Sequence, residues 1–326
     1  MANRLEDKYS WKELGELFAN RIEKTEFILK KNWNRKHFLE WFKIREKVGL
    51  LFDWRLVAKC YTIWKDLQDE NDHFTVIVGS EGEGKTTIST QICAWIAPDM
   101  DLNDIVFDMP HYISKLMEIA DGYKKLDKND RSIQIDEGGI SLFSREALSR
   151  SNKTLAKSFM IQRFLNVHVA ICIPHYWSID TMIRSHRVKT LIICKKRGSY
   201  KCIVNQGVSI LNKIGKKNKD RPLVTIPIPY NCFWEGHWSK EFPKTIDKKE
   251  YDKYKLKHIR KFLQDVKEEG DTIMMVKIGE ASKKLTIDRR TLIKMIKNKE
   301  IEGKKIGTNW YLTKKALEKL SMVKNS

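Results

Sequence analysis

The stretch GSEGEGKTT, residues 79–87, has the residue types and spacing of a loop that binds phosphate. Four residues separate Gly79 from Gly84, and Lys85 and Thr86 follow at once, which matches G-x-x-x-x-G-K-[ST]. Glycines let the backbone turn tightly and direct its N–H groups toward phosphate, and a helix starting at Lys85 adds its positive dipole end. We therefore predict a nucleotide site made by Gly79, Ser80, Glu81, Gly82, Glu83, Gly84, Lys85, Thr86 and Thr87.

The motif also predicts roles for single side chains. In P-loop enzymes the lysine reaches the β- and γ-phosphates and the hydroxyl residue binds Mg²⁺. We assign these roles to Lys85 and Thr86, with ATP and Mg²⁺ as the cofactors. Glu81 and Glu83 are unusual beside a polyanion, and we expect both to point away from the phosphates.

The segment SIQIDEGG adds two carboxylates at the end of an apolar strand. Asp136 lies about 50 residues after Lys85, where P-loop proteins carry a second magnesium-site carboxylate. We predict that Asp136 binds the hydrated Mg²⁺ and that Glu137 polarises the attacking water. An ordinary acidic strand end is the alternative. The N-K-x-D motif of a GTPase is missing from the sequence.

A further strand ends at IPHYW, and we expect it to lie between the strand of the glycine loop and that of Asp136. His175 at its tip is a candidate sensor of the γ-phosphate, and a structural histidine is the alternative. Arg163, Arg184 and Arg187 are candidates to act on a neighbouring subunit's nucleotide. Contacts to DNA phosphates, or plain surface charge, are the alternatives for these arginines.

The elements that must position these residues predict an α/β fold. Helical spacing of apolar residues predicts a helical N-terminal extension over 1–70. Strands then alternate with helices over 71–212, which predicts a P-loop NTPase domain with a mainly parallel sheet and helices on both faces. A polar helix is expected over about 145–165. An aromatic and basic extension over 213–270 includes a turn-rich segment and a basic helix that Gly270 ends.

The last residues, 271–326, predict a small winged helix-turn-helix domain. IGEASKKL and RRTLIKMIKNK form two helices joined by TID, where Thr286 or Asp288 caps the second helix. EIEGKKIGTNWYLT forms a hairpin, and KKALEKL a closing helix. We predict DNA contacts by cations and polar groups of the second helix and the hairpin: Arg289, Arg290, Thr291, Lys294, Lys304, Lys305 and Asn309. A protein-binding domain with a solvated basic face is the alternative.

The charge of the 326-residue chain points to the same partner. The segment from Lys213 onward has 29 Lys and Arg against 15 Asp and Glu, so it carries +14 of the net +20. Such a surplus suits double-stranded DNA, although a lysine-rich surface also keeps a protein soluble. Trp234 and Trp238 could stack on bases, but we expect them to attach an irregular extension to the core.

Other compositional features indicate where the protein works. No apolar run approaches the roughly 18 residues of a membrane span, and the polar N-terminus does not resemble a secretory signal. The six cysteines form no C-x-x-C pair, so we expect reduced core residues and no structural zinc. A cytoplasmic location is the expectation, in the host cell if the protein is viral.

The order GSEGEGKTT, IQIDEGG and QRFLNVHVAICIPHYWSIDTMIRSHR resembles the FtsK–HerA superfamily of DNA-pumping ATPases over about 70–205. It is most similar to the zonular-occludens-toxin-like P-loop proteins of viruses and plasmids. Residues of about 273–320 resemble excisionase and MerR-like DNA-binding domains. The first resemblance implies a homo-oligomer, usually a hexameric ring, that hydrolyses ATP to move DNA. Family members usually have glutamine at the sensor position, where this chain has His175.

Three functions are compatible with these patterns. The leading hypothesis is an ATP-driven motor that moves, packages or transfers double-stranded DNA of a virus or plasmid. The second is an ATP-dependent DNA-binding regulator or replication initiator without translocation. The third, a small-molecule kinase fused to a winged helix, is disfavoured because acceptor-binding motifs are missing from the sequence.

Overall fold

The computed structural model of this chain describes residues 5–6, 8–25, 33–122, 131–136, 162–215, 222–273, 275–306, 308–313, 316–317 and 320–321. They belong to two compact units, Met1–Lys253 and Tyr254–Ser326. The predicted domain boundaries at 70 and 212 lie inside the first unit. The sequence also predicts a charged loop at KKLDKND and a linker at KIGKKNKDRP. Both lie wholly or largely outside the described residues, and so do most of the polar helix at 145–165 and parts of the closing helix.

Three longer helices lie in the described part of residues 1–70, where the apolar spacing predicts a helical extension. They are α1 (Trp11–Lys24), α2 (Arg35–Ile44) and α3 (Trp54–Gln68). Each begins at a polar side chain that accepts a hydrogen bond from the first turn, and these caps are Ser10, Asn34 and Asp53. The helices share an aromatic core, formed by Trp11, Phe18, Phe38, Trp41, Phe42, Tyr61 and Trp95.

A seven-stranded sheet forms the centre of this unit, with the order β2-β3-β4-β1-β5-β6-β7. The strands are β1 (His73–Val78), β2 (Ile105–Val106), β3 (Ser132–Ile135), β4 (His168–Ile173), β5 (Val188–Lys196), β6 (Ser199–Val204) and β7 (Phe233–His237). The first five are parallel, and β6 and β7 add an antiparallel edge. Strand β4 lies between β1 and β3, which confirms the predicted order.

Helices cover both faces of the sheet, because the strands are apolar on both sides. They are α4 (Lys85–Ile96), α5 (Met109–Asp121), α6 (Thr181–His186) and α7 (Asn205–Gly215), together with α3. One face packs Val76 of β1 with Tyr112 of α5 and Leu211 of α7. On the other face the Thr90 hydroxyl of α4 donates to Gln134 of β3 over 2.9 Å. The first unit is therefore a mixed α/β fold with a mostly parallel sheet, consistent with a P-loop protein.

Helix α4 is enclosed by the rest of the unit. All residues from Thr87 to Ile96 are buried, so the helix has packing partners on every side and no face exposed to solvent. At its end the buried Arg45 guanidinium donates to the carbonyls of Trp95 and Ile96 over 2.9 and 3.3 Å. A cation is favourable there because carbonyls of the last turn lack helical partners. The N-terminal helices thus hold the helix that follows the glycine loop.

Two expectations about the extension are wrong. The turn-rich segment contains β7, which pairs with β6 at the sheet edge, so the extension is not irregular there. Its Trp234 and Trp238 are buried, as expected of residues that attach it to the core. The basic helix, α8 (Lys248–Ile273), continues through Gly270, because one glycine costs a helix only about 1 kcal/mol relative to alanine.

The second unit contains the helices and hairpin that the sequence predicts. They are α9 (Ile278–Leu285), α10 (Arg289–Lys297), β9 (Gly303–Ile306) and β10 (Asn309–Thr313). Asp288 caps α10 by accepting from the Arg290 N–H over 2.7 Å, so it is the capping residue of the two that were considered. An additional strand, β8 (Met275–Lys277), pairs with β10 and was not predicted. Leu285, Leu292 and Leu312 are in its core.

Candidate nucleotide site

The glycine loop connects the carboxyl end of β1 to the first residue of α4, which is the context that its sequence requires. Gly84 directly precedes the helix and has φ of 87°, in the left-handed region where glycine has no steric penalty. A Cβ atom at Gly84 would also overlap the indole ring of Trp238. Glycine is therefore needed at this position for two reasons, its backbone conformation and the close approach of Trp238.

Within the loop, side chains bind backbone groups. The Lys85 ammonium donates to the carbonyls of Gly79 and Ser80 over 2.8 and 2.9 Å. The Glu83 carboxylate accepts from the Ser80 N–H over 2.5 Å, so Glu83 reaches back to the loop backbone and does not point outward as expected. A carboxylate three residues along a turn can reach back to a free N–H, as in a capping box. Glu81 is exposed.

Thr86 and Asp136 meet at the start of α4. Asp136 directly follows β3, and its carboxylate Oδ1 accepts from the Thr86 hydroxyl over 2.8 Å. Asp136 is only 1% exposed. The structure thus brings together two residues that the sequence assigned separately to Mg²⁺, while Glu137 lies outside the described residues.

The chemistry of these donors fits Mg²⁺, which prefers oxygen ligands and keeps several waters. Across the described ranges, no group of three or more His, Cys, Asp or Glu could hold a metal ion. A Mg²⁺ held by Thr86 and Asp136 would complete its shell with phosphate and water oxygens, which is how nucleotide sites usually hold it.

Tyr251 is a member of this site that sequence reasoning missed. Its hydroxyl donates to Oδ2 of Asp136 over 2.6 Å, and the side chain is buried. Burial, and then the charge of Asp136, raises the pKa of Tyr251 well above its usual value, so the hydroxyl keeps its proton and can donate it. The residue lies in a helix 115 positions after Asp136, and no local pattern marks it.

Residues 238–251, which we call the covering segment, place Tyr251 at the site. The Gln91 amide of α4 donates to the carbonyls of Ser239 and Glu241 over 2.8 and 2.5 Å. The Ser239 N–H donates to the carbonyl of Leu51 over 2.5 Å. The covering segment is thus attached both to the nucleotide-site helix and to the chain before α3.

His175 lies near the loop, as predicted. It follows β4 at the carboxyl edge, is exposed, and lines a cavity of about 680 Å³ together with Ser80, Glu83 and Cys194. Burial raises the pKa of Cys194 to about 12, so this thiol is not a nucleophile at neutral pH. All six cysteines are buried with free thiols. The role of His175 as a sensor stays a prediction.

The three candidate arginines have different surroundings. The buried Arg184 packs its guanidinium 4.9 Å from the Trp177 ring centroid and donates to the Thr181 hydroxyl over 2.9 Å. Arg187 forms an ion pair with Asp72, which precedes β1. Both therefore have structural partners within the unit, whereas Arg163 is exposed. An action on a neighbouring subunit stays a prediction, with Arg163 as the accessible candidate.

The predicted DNA-contacting residues lie on two elements of the second unit. On α10, Arg289, Arg290, Thr291 and Lys294 are exposed. On the hairpin, Lys305 and Asn309 are exposed, and Lys304 is half-buried. Their side chains are thus largely accessible on the surface of the unit.

No protein-family model matches this chain, and no match was found among the curated proteins. Among solved structures, the N-terminal domain of zonular occludens toxin from Neisseria meningitidis has 18% sequence identity and a TM-score of 0.26, covering 41% of this chain and 83% of that domain. Such a low TM-score leaves the family open. Within the described residues, no helix is both long and apolar enough to cross a bilayer.

Proposed function

We propose that this protein is a Mg²⁺-dependent ATPase. The observation that carries the proposal is the hydrogen bond between the Thr86 hydroxyl and the Asp136 carboxylate, because it joins the glycine loop to the residue that directly follows β3. The two residues are 50 positions apart in the sequence. If the motifs matched only by chance, nothing would bring these residues together at the amino end of one helix.

Each residue has a defined task in this proposal. The loop N–H groups and Lys85 bind the phosphates, Thr86 and Asp136 hold the hydrated Mg²⁺, and Glu137 orients the attacking water. The metal supplies positive charge at the phosphoryl oxygens. His175, at the tip of the strand between β1 and β3, senses the γ-phosphate.

We further propose that the hydrolysis drives movement of double-stranded DNA, and that the second unit is a winged helix that binds it. The exposed cations of α10 and the hairpin support this, as does the charge of the last third of the chain. A homo-oligomeric ring, with Arg163 acting across the subunit boundary, is the assembly that such a motor requires. We expect it to work in the cytoplasm.

The main experiment measures ATPase activity with and without duplex DNA, beside displacement of a triplex-forming strand. We expect DNA to stimulate hydrolysis and ATP to drive displacement, and Lys85→Ala to abolish both. DNA-stimulated hydrolysis without displacement would favour the second candidate, an ATP-dependent DNA-binding regulator or replication initiator. The exposed cations of the second unit support this second candidate as well, because a helix and a hairpin that carry cations also suit site-specific DNA binding.

Assembly and DNA contact are tested separately. ATPase activity per subunit should rise with protein concentration, and a fully active monomer by light scattering would contradict the ring.

Arg289→Ala should weaken DNA binding by about 1–3 kcal/mol in a sequence-dependent way if Arg289 contacts a base. Lys305→Ala should weaken all sequences alike, because a phosphate contact carries no sequence information.

A further inference from the structure

The two oxygens of the Asp136 carboxylate have different partners. The Thr86 hydroxyl donates to Oδ1 over 2.8 Å, and the Tyr251 hydroxyl donates to Oδ2 over 2.6 Å. Asp136 and Tyr251 are 1% and 3% exposed. Two side chains, one from the glycine-loop helix and one from the covering segment, therefore contact the two oxygens of this carboxylate.

We infer that Tyr251 is a positioning residue of the magnesium site, which orients the Asp136 carboxylate toward the metal that Thr86 also binds. This inference rests on the proposed ATPase function. The terminal torsion of an aspartate is broad, so a single hydrogen bond does not by itself fix the plane of a carboxylate. A donor on the second oxygen restricts this torsion, in the way that outer-shell partners orient metal ligands.

The placement of Tyr251 is built into the fold. Its ring centroid lies 5.1 Å from that of Phe242, so the ring has a packing partner besides the hydrogen bond. The covering segment is held at its other end by Gln91 and by the indole of Trp238 on Gly84. A residue far along the chain is thus fixed beside a carboxylate that local sequence alone already marks as a ligand.

The test uses Tyr251→Phe in the full chain, because phenylalanine keeps the packed ring and removes only the donor. The measurement is the Mg²⁺ concentration that gives half-maximal binding of a fluorescent ATP analogue, with a parallel titration in EDTA. We expect the variant to need about 10- to 100-fold more Mg²⁺, while its affinity for the analogue in EDTA is unchanged. Tyr230→Phe is the matched control, since Tyr230 is 89% exposed, and it should behave as the unmodified protein.

A double variant separates positioning from general structure. In an Asp136→Asn background, Tyr251→Phe should change the Mg²⁺ requirement much less than it does alone, because the group that it orients is altered. An unchanged or lower Mg²⁺ requirement in Tyr251→Phe would overturn the inference, and so would an equal loss of affinity with and without Mg²⁺. If the unmodified protein binds the analogue without any response to Mg²⁺, the proposed function itself is wrong.

Discussion

In the described part of the chain, two aspartates, Asp53 and Asp136, accept a hydrogen bond from a tyrosine hydroxyl, and they differ in the type of the other donors around them. Asp53 is half-buried and accepts from Tyr200 over 3.0 Å, and also from the backbone N–H groups of Arg55, Leu56 and His237. Asp136 is buried, and the hydroxyls of Thr86 and Tyr251 donate to its carboxylate.

The difference shows how a structural carboxylate can be told from a candidate ligand. Backbone N–H groups point in fixed directions, so Asp53 is committed to capping α3 and to holding β7 beside it. A hydroxyl can rotate and can also accept, so Thr86 can bind a cation and keep its bond to Asp136. Burial raises the pKa of Asp53, yet its partners mark it as part of the framework. Four predictions test this contrast.

The largest effect is expected at Asp136. Asp136→Asn should lower ATP turnover by about 10²- to 10³-fold, because weakened Mg²⁺ binding removes several kcal/mol of transition-state stabilisation. Its thermal stability should stay close to that of the unmodified protein, since the amide keeps the shape of the side chain. ATPase assays and thermal melts check both parts, and a variant with full turnover would remove Asp136 from the metal site.

The opposite pattern is expected at Asp53. Asp53→Asn should lower the free energy of unfolding by about 1–3 kcal/mol, because the N–H groups of His237 and of the α3 cap compete for a single remaining acceptor. Mg²⁺-dependent nucleotide binding per folded molecule should be unchanged. Urea unfolding and an ATP-analogue titration are the measurements. Loss of nucleotide binding with unchanged stability would contradict the assignment of Asp53 as a structural carboxylate.

Gly236 gives a similar test of packing around Asp53. A Cβ at this position would overlap the Asp53 carboxylate and the Tyr200 ring, so Gly236→Ala should destabilise the protein by about 1–3 kcal/mol through overpacking. Chemical denaturation is the measurement. Stability equal to that of the unmodified protein would mean that β7 moves away from Asp53 without loss.

The smallest effect is expected for the tyrosine beside Asp53. Tyr200→Phe should cost about 0.5–1.5 kcal/mol of unfolding free energy, because Asp53 keeps three backbone donors. It should leave the Mg²⁺ requirement for nucleotide binding unchanged, in contrast to Tyr251→Phe. The two variants should be measured side by side. A raised Mg²⁺ requirement in Tyr200→Phe would show that this requirement responds to general destabilisation, and Tyr251→Phe would then say nothing specific about Asp136.

Much of the fold could be predicted because its signals are local. The apolar runs of β1, β3 and β4 are short and bounded by polar residues or turns, and each forms a strand as expected. The glycine loop and Asp136 could be assigned for the same reason, because each follows a strand directly. Strand β7 was missed because Gly236 and two tryptophans resemble a turn, and its pairing with β6 depends on a distant segment.

The sequence by itself determined the types and spacing of the groups that could bind phosphate and Mg²⁺, since loop and strand-end residues are placed by their immediate neighbours. Only the tertiary structure decided which distant groups reach them. It turned the Glu83 carboxylate toward the Ser80 N–H, and it gave Arg184 and Arg187 partners within the fold. It also brought Tyr251 to Asp136 across 115 residues. Such contacts depend on how buried helices and sheet edges pack, and residue type and spacing along the chain do not encode that locally.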